Sequence, residues 1–445
     1  MNETGFHVLL KPIGPACNLA CKYCYYLEKE RLYPGRRDFR MPGEVLENFI
    51  RQYIAAQGAP EIPFAWQGGE PLLLGLGFFR RALELQRKYC PPGRRISNAI
   101  QTNGTLLDVE WCRFFRENGF LVGISIDGPR RLHDLYRLDK GGRPAFDKVM
   151  RGLELLVQHG VEFNTLTVVH RQNARQPLEV YSFLKRHGSR FMQFIPLVER
   201  VCHGQLLDRT STAAGERMGR QRQRLPVAPP ALAEAPDPVM GWEVSPAQDA
   251  SVTPWSVEPL AYGEFLCAIF DEWLRHDVGE VYVQLFEVLL AMRLGLPSAL
   301  CVFSETCGKG LALEHNGDLY ACDHYVYPRH KLGNIQTQPL AELLNLPRQL
   351  AFVTAKRDKL PPQCRECDVQ WACHGGCPKH RFVKSPDGAP GLNYLCPAYK
   401  HFFARSTPHI SRLAALLRAG RPAAAIMLEL SRKQEAARRV PRKGP

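Results

Sequence analysis

The residues best suited to chemistry in this 445-residue chain are its cysteines, 15 in all, most of them in two clusters. The first is Cys17-Asn-Leu-Ala-Cys21-Lys-Tyr-Cys24. Its CxxxCxxC spacing lets one loop present three thiolates to a cubane iron–sulfur cluster, leaving one of four irons open for a substrate. A zinc site normally takes a fourth nearby ligand, and none stands in this loop. Zinc and unligated thiols are the alternatives. The second cluster comprises Cys301, Cys307 and Cys322, then Cys364-x2-Cys367-x5-Cys373-x3-Cys377, and finally Cys396. Eight thiolates suffice for two fully ligated four-iron clusters, and composition alone leaves two zinc sites open. Cys90, Cys112, Cys202 and Cys267 are left over. Cys90, Cys112 and Cys267 lie on or beside helical patterns and read as small apolar side chains.

Met1–Lys11 has no long apolar segment behind a basic head, so no signal peptide is expected. No stretch approaches the roughly 18–20 apolar residues of a membrane span. A soluble, cytoplasmic protein without a membrane partner is the expectation. Clustered cysteines in a reducing compartment point to metal rather than disulfides. The net charge of +14 is largely local, in Arg217, Arg220, Arg222 and Arg224 and in a tail with Arg432, Lys433, Arg438, Arg439, Arg442 and Lys443. Such runs are usually solvated surface, and no nucleic-acid partner is expected.

The elements that must position the first loop alternate. Strand patterns at Phe6–Ile13, Ile62–Trp66, Ile96–Gln101, Leu121–Ile126, Glu162–Val169 and Phe191–Ile195 enclose helical patterns near Gly43–Gln57, Gly77–Tyr89, Asp108–Asn118, Ala145–His159 and Ala174–His187. Six such units predict a parallel sheet in a partial or complete βα barrel. Prolines 226, 229, 230, 236 and 238 mark an irregular insert, after which helical patterns resume near Pro259–His276 and Tyr282–Leu294. The expected organisation is a barrel over 1–198, a proline- and arginine-rich insert over 199–258, a cysteine-rich domain over 259–405 and a basic helical tail over 406–445.

The first loop resembles that of radical S-adenosylmethionine (SAM) enzymes. The resemblance implies an α/β fold, a partial (β/α)6 TIM-like barrel of the radical SAM type, with a C-terminal domain. It also implies that the open iron chelates SAM and that reductive cleavage gives a 5′-deoxyadenosyl radical. Further matching segments end later strands: Gln67-Gly68-Gly69-Glu70-Pro71, Gln101-Thr102-Asn103-Gly104 and Ser125-Ile126-Asp127-Gly128-Pro129. The glycines of the first let the backbone approach a ligand closely, but taken alone that segment is as readily a mere turn. By the resemblance, Tyr23, Gly68, Gly69, Ser125, Arg137 and Val198 contact the cofactor, with the Arg137 fork on the methionine carboxylate. Val198 departs from the leucine usual at that place.

The cysteine-rich block resembles the SPASM extension, which implies an interleaved assignment. Cys301, Cys307, Cys322 and Cys377 would hold one auxiliary [4Fe-4S] cluster, and Cys364, Cys367, Cys373 and Cys396 the other. The most specific resemblance is to anaerobic sulfatase-maturating enzymes, carried by the first loop, Trp66–Pro71, Met192–Pro196, Glu314-His-Asn-Gly-Asp-Leu-Tyr-Ala-Cys-Asp-His and Leu332-Gly-Asn-Ile. It implies oxidation of Ser or Cys in a sulfatase Cys/Ser-x-Pro-x-Arg segment to Cα-formylglycine. The radical would take a Cβ hydrogen, Asp323 the hydroxyl or thiol proton, and an auxiliary cluster the electron. His324 and His315 are weaker candidates for the base. The implied partners are an unfolded or nascent sulfatase and an electron donor such as flavodoxin or ferredoxin. The rivals are a sister enzyme forming thioether or carbon–carbon crosslinks in a precursor peptide, and a basic iron–sulfur protein acting on RNA or only carrying electrons.

Overall fold

The computed structural model describes residues 5–200, 252–308 and 310–439. Six parallel strands are neighbours in chain order: β1 His7–Lys11, β2 Glu61–Trp66, β3 Arg95–Thr102, β4 Phe120–Ser125, β5 Phe163–Val169 and β6 Phe191–Pro196. All six coincide with the strands expected from sequence, apart from one or two residues at their ends. The helices between them are α1 Gly43–Ala56, α2 Leu76–Tyr89, α3 Val109–Glu117, the single turn α4 Arg130–His133, α5 Phe146–Gln158 and α6 Pro177–Arg186. In α1, Val45, Leu46, Phe49, Ile50, Tyr53 and Ile54 bury one face at helical spacing. Burial of each large side chain there contributes roughly 1.5–3 kcal/mol. Asp108 caps α3 by accepting the Trp111 N–H at 2.9 Å.

The barrel is open, because β1 and β6 each pair with something else. Parallel β7, Tyr282–Val283, extends the sheet beyond β6, so the first residues of the helical pattern expected from Tyr282 are strand. On the other edge β8, Gly310–Glu314, pairs in parallel with β1, with Lys11 opposite Glu314. Antiparallel β9, Asp318–Tyr320, and β10, Lys331–Asn334, complete one ten-stranded sheet. The cysteine-rich region therefore joins the barrel through main-chain hydrogen bonds and a shared core.

The helix Pro259–His276 packs on the long helix Cys396–Arg418, whose first residue is the last clustered cysteine. A Cβ at Gly263 would stand 3.0 Å from Ala398 Cα, so the close crossing needs glycine there. That long helix runs through the expected 405/406 boundary, and a further helix, Ala425–Arg439, follows it. Most of the insert, including Cys202 and its prolines, and the tail residues Arg442 and Lys443 lie outside the described residues. Among the described residues no helix is long and apolar enough to cross a membrane.

Candidate functional site

The first cysteine loop leaves β1 at Lys11 and is held from three sides. Gly69 N–H donates to Gly14 O at 2.7 Å and Glu70 N–H to Ala16 O at 2.9 Å. A Cβ on Gly69 would lie 1.8 Å from Ala16 O, which no side chain tolerates. Gly68 has φ +131° and packs on Gly14 and Lys11. The backbone that these two glycines admit is thus, in the first place, that of the cysteine loop itself. From the far side, Ala20 and Lys22 donate their N–H groups to Leu138 O and Tyr136 O at 2.8 and 2.9 Å. From the end of β3, Asn103 Nδ2 reaches Cys17 Sγ at 3.6 Å and Asn18 Oδ1 at 2.8 Å. Glu70 ties the ends of β2 and β3 together, fully buried, accepting from Asn103 N, Thr102 Oγ1 and Leu72 N. Burial raises its carboxyl to about 7 against those three donors.

Cys17, Cys21 and Cys24 stand within electrostatic reach of one another. Burial pushes Cys17 up to about 11 and Cys21 to about 12, while N–H donors at Cys17 and the Arg137 charge at Cys21 oppose it. Three thiols facing one another, with donors on one sulfur and a cation behind another, are a donor set that fits a three-ligand cubane.

Arg137 sits four residues beyond α4 and presents Nε and Nη2 to the two oxygens of Asp127, at 2.9 and 3.1 Å. Asp127 is fully buried and also accepts Tyr23 OH at 2.5 Å and Val168 N at 3.0 Å. Burial works against its charge, but Arg137 outweighs it and holds the carboxyl below its usual range. The two-donor edge expected on a cofactor carboxylate is therefore engaged within the protein, with the guanidinium 5.6 Å from the centre of the Tyr23 ring. In the sequence Asp127 stands out only as part of the segment Ser125-Ile126-Asp127-Gly128-Pro129. Ser125, ending β4, and Val198, just beyond β6, are buried at the same carboxyl edge of the sheet.

The eight later cysteines gather into two sets. Cys364, Cys367, Cys373 and Cys396 line one cavity of about 250 Å³. Cys322 has the thiols of Cys377, Cys301 and Cys307 as neighbours, and Cys307 those of Cys377 and Cys301. These are the two quartets of the interleaved assignment. Burial is the main force raising Cys307 and Cys373 to about 12 and Cys396 to about 11. Among the described residues no three His, Cys, Asp or Glu side chains stand close enough to share a single metal ion. Cys90 is half-buried, and Cys112 and Cys267 are buried, away from both groups.

Asp323 follows Cys322 and lies against β1 because β8 pairs there. Its Oδ1 is 2.5 Å from Lys11 Nζ, and its Oδ2 accepts Tyr25 OH at 2.8 Å. Burial opposes its charge, but Lys11, His324 and Tyr25 hold it below the usual carboxylate range. Lys11 also donates to Gln67 Oε1 at 2.8 Å, and Gln67 in turn bonds Gln101, making a polar row across the ends of β1, β2 and β3. His324 is half-buried, lowered to about 4 chiefly by desolvation, and lies 3.5 Å from Cys377 Sγ. His315 is buried beside Glu314, facing Tyr33 and Phe39. His315 lacks the free access that a base needs, and His324, so lowered, is a weak proton acceptor. Lys11 and Tyr25 were not found from sequence, since neither belongs to a spacing pattern.

Comparison with known proteins fixes the class first. Residues 12–184 match the radical SAM superfamily, and residues 301–368 match an iron–sulfur cluster-binding domain. The protein is thus a radical SAM enzyme with SAM and iron–sulfur clusters as cofactors. A serine-type anaerobic sulfatase-maturating enzyme of Bacteroides thetaiotaomicron is 45% identical over 91% of this chain and 90% of its own length. A cysteine-type counterpart from Clostridium perfringens is 33% identical, covering 92% of this chain and 98% of its own. The solved structure of native anSMEcpe with bound AdoMet and Cp18Cys peptide superposes with a TM-score of 0.74 at 33% identity, over 92% of this chain and 99% of that one. The chain belongs to the anaerobic sulfatase-maturating enzymes.

Proposed function

We propose that this chain oxidises a Ser or Cys in a sulfatase Cys/Ser-x-Pro-x-Arg segment to Cα-formylglycine, with Asp323 as the base. One observation carries the reading. Tyr25, the residue after Cys24, donates its hydroxyl to Asp323, the residue after Cys322, at 2.8 Å. That hydrogen bond joins the first cysteine loop to the auxiliary region, so a side chain placed there meets both.

In this reading Cys17, Cys21 and Cys24 hold the first [4Fe-4S] cluster, and Tyr23, Gly68, Gly69, Ser125, Arg137 and Val198 border SAM. The two quartets hold the auxiliary clusters. When bound, these groups supply hydrogen-atom abstraction and electron acceptance. The protein supplies the rest. Asp323 is ionised at neutral pH, as a base must be, and Lys11 and Tyr25 fix both its oxygens. To accept a proton it gives up part of that pairing to the substrate hydroxyl or thiol. Gln67 and Gln101 offer amide groups to a peptide lying across the strand ends. The sulfatase segment would be unfolded or nascent, the reductant a flavodoxin- or ferredoxin-like protein and the setting the cytoplasm. The test is anaerobic incubation with Ser and Cys sulfatase peptides followed by mass spectrometry. A Ser peptide should lose about two mass units as two hydrogens leave. A crosslinked peptide without aldehyde would instead assign a thioether- or carbon–carbon-forming activity.

A further inference from the structure

Between the two cysteine quartets lie two buried cations without a carboxylate. Arg381 is 0% exposed and Lys356 1%. Arg381 donates only to main-chain carbonyls: Nε to Gly375 O at 2.9 Å, Nη1 to Lys356 O at 2.6 Å, and Nη2 to His374 O and Gly376 O at 2.8 and 3.3 Å. Lys356 Nζ likewise donates to Cys301 O at 2.6 Å, Val302 O at 3.0 Å and Ser304 O. Among the described residues neither has an ion-pair partner. This differs from the buried Arg137 and Lys11, which are matched by Asp127 and Asp323.

The place of Arg381 is specific. His374, Gly375 and Gly376 form the strap between Cys373 of one quartet and Cys377 of the other, and Arg381 grips all three of their carbonyls. A Cβ on Gly375, at φ +71°, would fall 2.6 Å from Arg381 Nη2, so the strap is hollowed to admit the guanidinium. The thiols facing Arg381 come from both quartets: Cys307 and Cys377, and Cys364 and Cys373. Lys356 sits on the Cys301 quartet, its Nζ bonded to the Cys301 and Val302 carbonyls and its charge acting on Cys307, Cys377 and Cys301. Burial lowers both cations, Lys356 to about 8, and the neighbouring cysteines, once ionised, would oppose that.

Burying an unpaired charge is costly, so a counter-charge must arrive when the protein matures. Four thiolates outweigh an oxidised cubane core, so each loaded quartet is net anionic. Resting on the ligand assignment above, we propose that Arg381 is the counter-cation shared by the two auxiliary clusters and raises both reduction potentials, while Lys356 serves only the Cys301, Cys307, Cys322 and Cys377 cluster. A buried cation favours the form carrying one more electron, and local charge is a main determinant of such potentials. Arg381 acts through the clusters and is a positioning and tuning residue.

The experiment is a redox titration of the reconstituted protein, followed by electron paramagnetic resonance, in a Cys17→Ala, Cys21→Ala, Cys24→Ala background that leaves only auxiliary signals. Arg381→Gln should keep its auxiliary iron while both midpoint potentials move negative, and Arg381→Lys should restore most of the shift. Lys356→Gln should move one midpoint only. Full iron with unmoved midpoints in Arg381→Gln overturns the proposal. Should that variant fail to fold, Lys356→Gln decides it: one midpoint moving supports it, and neither or both moving overturns it. Auxiliary quartets that take up no iron even with Arg381 and Lys356 intact would instead sink the ligand assignment, a result read from metal analysis alone.

Discussion

The first cysteine loop and the auxiliary region manage charge in opposite ways. Around the loop each buried cation has a carboxylate of its own: Arg137 has Asp127, and Lys11 has Asp323. Around the quartets Arg381 and Lys356 have only main-chain carbonyls and thiols. The difference follows from what each place must do. An open site receives a cofactor and a substrate that bring their own charges and then leave, so it has to be balanced when empty. A closed site keeps its metal, and the protein can leave its cations to be balanced by the resident group.

The most drastic way to break the comparison is to remove one side. With Cys17, Cys21 and Cys24 all changed to Ala, metal analysis should find about eight irons per chain instead of about twelve. SAM cleavage should vanish. Zinc in the quartets, or persistent cleavage, would contradict the division between an open site and closed ones.

A sharper cut separates the paired cations from their partners. Arg137→Ala leaves Asp127 buried without its cation, and Asp127→Asn does the reverse, so each should cost about 3–5 kcal/mol in denaturant unfolding. Loss of the Arg137 charge should also weaken SAM binding at least about tenfold by calorimetry. Unchanged stability in both variants would show that the pair is not what holds Tyr23 and the loop clamp.

The smallest effect is expected from the spare thiols. Ser at Cys90, Cys112, Cys202 or Cys267 should leave every cluster spectrum intact, with a stability cost of about 1–3 kcal/mol at buried Cys112 and Cys267. Loss of a cluster in any of the four would return that residue to the ligand set.

The parts of this account legible in the sequence are those encoded locally. Six strand–helix units show themselves by periodicity, and three thiols in one loop by spacing. What was hidden is encoded across distance. The β1–β8 pairing joins residues some three hundred positions apart and is what sets Lys11 beside Asp323. β7 is only two residues long and merges into the apolar run of the next helix. The interleaving of the quartets is implied by resemblance alone; the strap Cys373–Cys377 carries the chain from one group of thiols to the other. Arg137 was read as a ligand-facing fork because nothing local says that Asp127 takes that edge. Arg381 and Lys356 were invisible: a lone basic residue reads as solvated surface until its burial is seen.

The central claim is that Asp323 acts after hydrogen abstraction, where the two regions meet. Asp323→Asn keeps the side chain's size and removes its basicity. The direct measurement follows 5′-deoxyadenosine and formylglycine together in one anaerobic reaction with a sulfatase peptide. SAM cleavage should continue while aldehyde falls by about 10²-fold or more. Formylglycine at the unmodified yield from Asp323→Asn would contradict the account.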